Sequence, residues 1–171
     1  MFLRARSRSR KKSRGQSLVE FALVFPIAIL LLIAVFDVGR AVFAYNGLTN
    51  AAREGARLAA VNQDPALIKQ RVQEMTFGTG VTNLANPNFV QFYRESPNLT
   101  TPTSNPVCTT MAVGCVAIVI AESDWRAITP VIGQIIGPIT FTGRSEVPVE
   151  FVCPNPNIPA YISSASCPKQ P

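Results

Sequence analysis

The sequence contains no histidine among its 171 residues. Histidine is the commonest general base in enzymes and a frequent zinc ligand, so its absence excludes Ser-His and Cys-His nucleophile pairs and most zinc chemistry. No glycine-rich phosphate-binding loop and no known nucleophile motif is present either. We therefore expect a protein that is not an enzyme and that uses no metal and no cofactor.

Acidic residues are absent from residues 1–15, which hold seven of the sixteen basic side chains. The rest of the chain carries nine basic and ten acidic residues, so the net charge of +6 belongs to a basic tail on a near-neutral body. Such a tail can bind nucleic acid. Because it stands directly before an apolar run, a cytoplasmic membrane flank explains it better, and we expect no nucleic-acid partner.

Charge is also absent from residues 21–36, and the apolar run reaches back to Leu18 if Glu20 is included. A helix of about 19 residues is about 28 Å long, close to the thickness of the bilayer hydrocarbon. The run therefore predicts a single transmembrane helix. Because the basic tail precedes it, we expect a cytoplasmic N-terminus and an extracytoplasmic C-terminal part, anchored in the cytoplasmic (inner) membrane.

A cleaved secretory signal is the main alternative for this run, with Val42-Phe43-Ala44 as a small-residue cleavage site. Asp37 and Arg40 interrupt the approach to that site, and the sequence beyond it continues as helix. These features favour an uncut membrane helix.

Residues 37–61 predict that the helix continues to Val61, since they contain no proline and are rich in alanine. Glycines at 39, 47 and 55 either allow close helix approach or merely weaken the helix. An apolar stripe runs along this part at helical spacing and comprises Val38, Val42, Tyr45, Leu48, Ala52, Ala56 and Ala59.

The residues before the span follow the type IV prepilin pattern, in which a basic leader ends in glycine and an acid stands fifth after it. Here Gly15 ends the leader, Gln16 follows, and Glu20 and Phe21 stand fifth and sixth. The resemblance implies cleavage by a prepilin peptidase between Gly15 and Gln16. It also implies a role for Glu20 in assembly, because a carboxylate in a bilayer needs a partner and the new amine of a neighbour's Gln16 supplies one. The alternative is that Glu20 reaches the headgroups.

Further motifs indicate which family of pilin-like proteins the sequence resembles. The stretch GQSLVEFALV, the Pro26 position, the Asp37-x-Gly39-Arg40 step and the run from Asn50 to Arg57 resemble the TadE-like proteins of the tight-adherence (Flp-type) pilus system. This resemblance implies a minor pilin or pseudopilin whose partners are the membrane, prepilin peptidase, other pilin-like subunits and pilus assembly proteins. The alternative function is a membrane-anchored extracytoplasmic binding domain that joins no filament.

Pro26 lies inside the predicted span, where it removes one backbone hydrogen bond of the helix. It is either a hinge that helps the subunit leave the bilayer or a tolerated kink.

The remaining sequence predicts a small α+β head with an antiparallel sheet. Asp64-Pro65 marks the start of a short helix that ends at about Phe77. Residues 95–110 are predicted to form a loop. The candidate strands are Phe89 to Tyr93, Val116 to Ile120 and Phe141 to Val152, with Pro148 indicating an edge or bulge. The resemblance to TadE-like proteins also implies a proline-marked helical turn near Pro130.

Four regions result: a basic leader (1–15), a spine helix (16–62), the head (63–153) and a proline-rich tail (154–171). Glu122 and Asp124 are interpreted as part of a solvated loop, with a cation site or a catalytic role as the less favoured alternative.

Cysteine is absent from the first 107 residues and then occurs at Cys108, Cys115, Cys153 and Cys167. The even number beyond a membrane span indicates disulfides in an oxidising compartment, and the spacings lack the two-residue gap common in zinc sites. Three connectivities are possible, and we choose local pairing, Cys108 with Cys115 and Cys153 with Cys167. Free buried thiols are the alternative.

Overall fold

The computed structural model describes residues 15–76, 80–94, 107–108, 110–155, 160 and 163–168. The basic leader up to residue 14, most of the predicted loop 95–110 and parts of the proline-rich tail lie outside the described residues. Expectations about those segments therefore stay predictions.

The longest element is one helix, α1 (Gln16–Val61), which runs without interruption through Pro26. Its 46 residues correspond to about 69 Å. Within the described part of the chain it is the one helix that is long and apolar enough to cross a membrane, and its most apolar stretch is wholly exposed. A core helix of a soluble protein would be covered there, so the exposure fits a single-pass membrane anchor.

A three-stranded antiparallel sheet forms the body of the head, in the order β1 (Val90–Tyr93), β2 (Val116–Trp125) and β3 (Ile139–Pro148). Together with α1 it makes the α+β fold that the sequence predicts. Pro148 is the last residue of the edge strand β3, where its missing N–H costs the sheet least.

The central strand differs from the prediction, since it extends to Trp125 instead of ending at Ile120. Glu122 and Asp124 are therefore strand residues, and the loop predicted for them is wrong. Buried Ala121, Ser123 and Trp125 alternate with them, so the acids occupy the outer face of a half-buried strand.

Helix α2 (Pro65–Met75) begins as the sequence predicts, with the Asp64 carboxylate accepting a hydrogen bond from the Ala66 N–H at 2.9 Å. It ends two residues before the predicted Phe77. Its buried Ile68 and Val72 pack towards α1. The short helix α3 (Pro130–Ile136) connects β2 to β3 and begins at the predicted proline.

The core lies between the C-terminal half of α1, helix α2 and the sheet. A small residue on β3 lets the sheet approach α1 closely: a Cβ on Gly143 would lie 2.9 Å from the Leu48 carbonyl oxygen. The fully buried members of the core on α1 are Leu48, Ala51, Ala52, Ala56 and Ala59.

Both cysteine pairs are joined locally, so the predicted disulfides are confirmed. Cys108–Cys115 closes the connection between β1 and β2, with 6.3 Å between the Cα atoms. Cys153–Cys167 attaches the tail to the end of the head, with 5.8 Å between the Cα atoms. Both separations lie in the ordinary range for disulfides.

Candidate membrane and assembly surface

The first residue of α1 directly follows the glycine predicted to end the leader. Gly15 is the N-terminal capping residue, with φ −84° and ψ −23°, and its carbonyl accepts the Val19 N–H at 3.2 Å. Any residue adopts these angles, and a Cβ at Gly15 would meet no atom within 4 Å. The fold therefore gives no reason for glycine at this position.

Glu20 and Phe21 lie on the uncovered part of the helix, where every residue from 16 to 32 is exposed. Phe21 stacks on Phe25 with 5.1 Å between ring centroids. The head first buries α1 at Asp37, about 26 Å further along the helix axis. Among residues 15–76, Glu20 forms no ion pair, and the head is too distant to neutralise its carboxylate.

Asp37 attaches the head to the helix at the point where the apolar run ends. Its carboxylate accepts hydrogen bonds from the Ile128 N–H at 3.0 Å, the Thr129 N–H at 2.8 Å and the Thr129 hydroxyl at 2.5 Å. Arg40 lies 3.3 Å away on the same side of α1. The side chain is almost completely buried, at 4% exposure. This contact fixes the start of α3 against the helix.

These donors also determine the ionisation of Asp37, which lies just beyond the uncharged span. The hydrogen bonds from the Thr129 hydroxyl and the Ile128 and Thr129 amides, helped by the Arg40 charge, lower the pKa of Asp37 from 3.8 to about 2. Sequence reasoning singled out Asp37 as part of a motif and as a charge before a possible cleavage site, but assigned it no contact. The available signal was an acid placed directly after the apolar run, but the sequence gives no indication of its partners.

Beyond Asp37, α1 has one face inside the head and one face outside it. The predicted apolar stripe divides accordingly. Leu48 and the alanines that follow it are buried, as expected from the pattern, whereas Val38 and Val42 are 64% and 55% exposed. Tyr45 is half-exposed and contacts Phe141 edge to face at 6.0 Å. The apolar surface of the helix therefore continues past the uncharged run on the face that the head leaves open.

The three evenly spaced glycines have different environments. A Cβ on Gly55 would collide with Val72 of α2, so the head requires glycine there. A Cβ on Gly39 or Gly47 would meet no atom within 4 Å. Close helix approach, one of the two readings of these glycines, therefore applies to Gly55 within the head.

The outer face of the sheet holds the acidic pair noted in the sequence. The Asp124 carboxylate accepts a hydrogen bond from the Thr140 hydroxyl at 2.7 Å. In the part of the chain that the structure describes, no three His, Cys, Asp or Glu side chains are grouped as metal ligands would be.

Comparison with known proteins places this surface in context. No curated protein and no solved structure matches the chain significantly. A sequence model of the TadE-like protein family matches residues 15–57, about a quarter of the chain. The match begins at Gly15 and runs into the part of α1 that the head buries. It agrees with the resemblance found in the sequence: over these residues the N-terminal helix is similar to that of TadE-like proteins.

Proposed function

We propose that this membrane protein is a minor pilin or pseudopilin of the tight-adherence pilus, assembled through its N-terminal helix. The observation that carries the proposal is the long apolar helix that begins directly after Gly15, matches the TadE-like family and is left bare by its own head. Its partners would be prepilin peptidase, other pilin-like subunits and the pilus assembly proteins.

Processing after Gly15 is supported by the lack of any structural requirement for glycine at this position. The backbone at Gly15 accepts any residue and the space around it is open, so the glycine has no structural function in the described chain. A peptidase that binds the chain extended in a narrow site does require glycine, because a side chain would obstruct it. Cleavage there would leave α1 complete, starting at Gln16.

Assembly through Glu20 is supported by its distance from every charged group of the head. A carboxylate held in hydrocarbon needs a counter-charge. The α-amino group created at Gln16 of a neighbouring subunit is such a charge, and the pair would fix the axial register between subunits, since desolvation offsets much of its attraction. The open apolar face at Val38 and Val42 extends the surface available to neighbours beyond the membrane.

Orientation follows from the same reading. The basic leader would stay in the cytoplasm, where the peptidase cuts, and the head would lie outside. Two disulfides in the head are consistent with an oxidising extracytoplasmic space.

The experiment is an intact-mass measurement of the protein isolated from its own membranes, repeated for Gly15→Ala. We expect the unsubstituted protein to lack residues 1–15 and the variant to retain them. Gly39→Ala is the matched control: it changes another open glycine of α1 and should be processed normally. Full-length protein without any substitution would refute the pilin proposal in favour of an anchored binding domain. A cut near Ala44 would refute it in favour of a secreted domain.

A further inference from the structure

The connection between β2 and β3 is an uncharged segment with unusual apolar exposure. We call residues 127–139 the foot; they include α3 and contain no charged side chain. Isoleucines project from the foot into open space although a buried core is close by. The exposed fractions are 64% for Ile128, 78% for Ile135, 55% for Ile136 and 36% for Ile139.

The foot lies at the membrane-proximal end of the head. Strand β3 runs along α1 in the same direction, because Phe141 contacts Tyr45 and Gly143 lies against Leu48. The foot precedes β3 and therefore lies towards the membrane span. Its attachment point is Asp37, the first residue after the uncharged run.

The attachment fixes the height of the foot relative to the span. Within residues 21–36 the helix is exposed except at Ile33 and Ala34, which are half-buried one turn below Asp37. The head therefore covers α1 down to the last turn of the apolar run. The hydrogen bonds of Ile128 and Thr129 to Asp37 hold the start of the foot at that level, and Ile135 and Ile136 follow on the short helix α3 that begins there.

From this placement we propose that the foot is a second membrane contact: Ile128, Ile135 and Ile136 insert into the boundary between headgroups and acyl chains of the leaflet on the head's side. Isoleucines exposed at the level where a spanning helix leaves the bilayer lie next to the headgroup region. A protein partner at this position would first have to displace that lipid. The bilayer is therefore the occupant that the geometry favours.

Charges around the foot fit a lipid surface. Arg40 is half-exposed beside Asp37, and Arg126 is exposed directly before the foot. Both are placed to reach lipid phosphates, which basic side chains bind at membrane surfaces. Two acidic side chains oppose them: Asp37, which is buried and lies 3.3 Å from Arg40, and Asp124, whose carboxylate accepts a hydrogen bond from the Thr140 hydroxyl on the outer face of the sheet. The proposal requires only that α1 spans the membrane, and it does not depend on filament assembly.

The test measures the depth of residue 135 in a bilayer. The full chain carrying Ile135→Trp is reconstituted into phosphatidylcholine and phosphatidylglycerol vesicles, and tryptophan fluorescence is quenched by lipids brominated near the headgroup end of their chains. The protein has one native tryptophan, so the unsubstituted protein supplies the background. Because Ile135 is 78% exposed, the substitution should leave the fold intact.

Val113→Trp is the matched control, since Val113 is 70% exposed and lies in the loop whose Gly114 N–H bonds Val149, at the far end of the head. We expect quenching of Ile135→Trp at least about twofold above that of Val113→Trp. Equal quenching of the two variants would overturn the proposal. An increase in the quenching of Ile135→Trp when lipid is added at constant protein would also overturn it. Added lipid separates the protein copies, so such an increase would show that a second copy had been covering the foot.

Discussion

At the scale of single residues, Asp37 shows how one side chain determines the relation between helix and head. It accepts three hydrogen bonds from Ile128 and Thr129, which lie 91 and 92 positions away in the chain. Periodicity and local propensity carry no information about contacts at such separation, so the sequence could mark Asp37 as unusual without revealing its partners. By contrast, the Asp64 cap acts on Ala66 and was predictable from two adjacent letters.

Asp37→Asn should loosen the start of α3, because an amide offers one acceptor oxygen where the carboxylate offers two. We expect faster hydrogen exchange at the Ile128 and Thr129 amides, with exchange in β3 unchanged. Glu54→Gln, which removes an exposed ion pair with Arg57 at 3.2 Å, is the control and should leave these amides protected. Unchanged exchange in Asp37→Asn would contradict the role assigned to Asp37.

Acidification should weaken the same contact only at very low pH. The folded-state pKa of Asp37 is about 2, below the ordinary 3.8, so the contact is fully stabilising above pH of about 4. Its contribution is lost as the pH falls through about 2, when the carboxylate of the folded protein is protonated. Carboxyl NMR chemical shifts recorded against pH would show this midpoint, and a midpoint near 4 would show that the hydrogen bonds do not form.

At the scale of elements, α1 was predictable because length, alanine content and the absence of proline after Pro26 agree. Strand β2 was predicted only to Ile120, because Glu122 and Asp124 look like a loop when only their polarity is considered. They alternate with buried residues, and that alternation was the signal that should have extended the strand. For the foot, the sequence predicted only a proline-marked turn. The exposure of its isoleucines depends on how the sheet packs against α1, which the local sequence does not show.

Gly55→Ala should destabilise the head by about 1–3 kcal/mol, because its Cβ would collide with the stiff side chain of Val72 between α1 and α2. Gly39→Ala makes the same chemical change on the same helix in open space, and should be neutral or stabilise by up to about 1 kcal/mol. Thermal unfolding in detergent measures both. Equal effects would show that α2 does not pack against α1 at Gly55.

At the scale of the whole molecule, the apolar half of α1 continues directly into the core of the head, and no linker separates the two. Helix residues from Ala44 to Val61 supply much of the core of the head, so the helix that carries the apolar run is also a structural member of the fold. The sequence predicted both halves of the helix. It also predicted that strands pack against the second half, but not which strand residues meet it, because contacts with a sheet that begins 29 residues later cannot be seen locally.

Glu20→Gln should remove the charge proposed to set the register between subunits and leave the head unchanged, since the head first buries α1 about 26 Å away. We expect normal processing after Gly15, a normal thermal unfolding curve, and loss of the subunit from assembled pili. Comparison of pilus and membrane fractions by immunoblot measures this. Incorporation at the level of the unsubstituted protein would exclude an essential role for the carboxylate.

The continuity of α1 has a mechanical consequence. Because the C-terminal half of α1 belongs to the core of the head, any rotation or translation of the helix moves the head by the same amount. A shift of α1 by one residue relative to its surroundings moves the head by about 1.5 Å along the helix axis and turns it by about 100° around that axis. The direction in which the head faces is therefore determined by the contacts of the apolar half of α1, which lies outside the head.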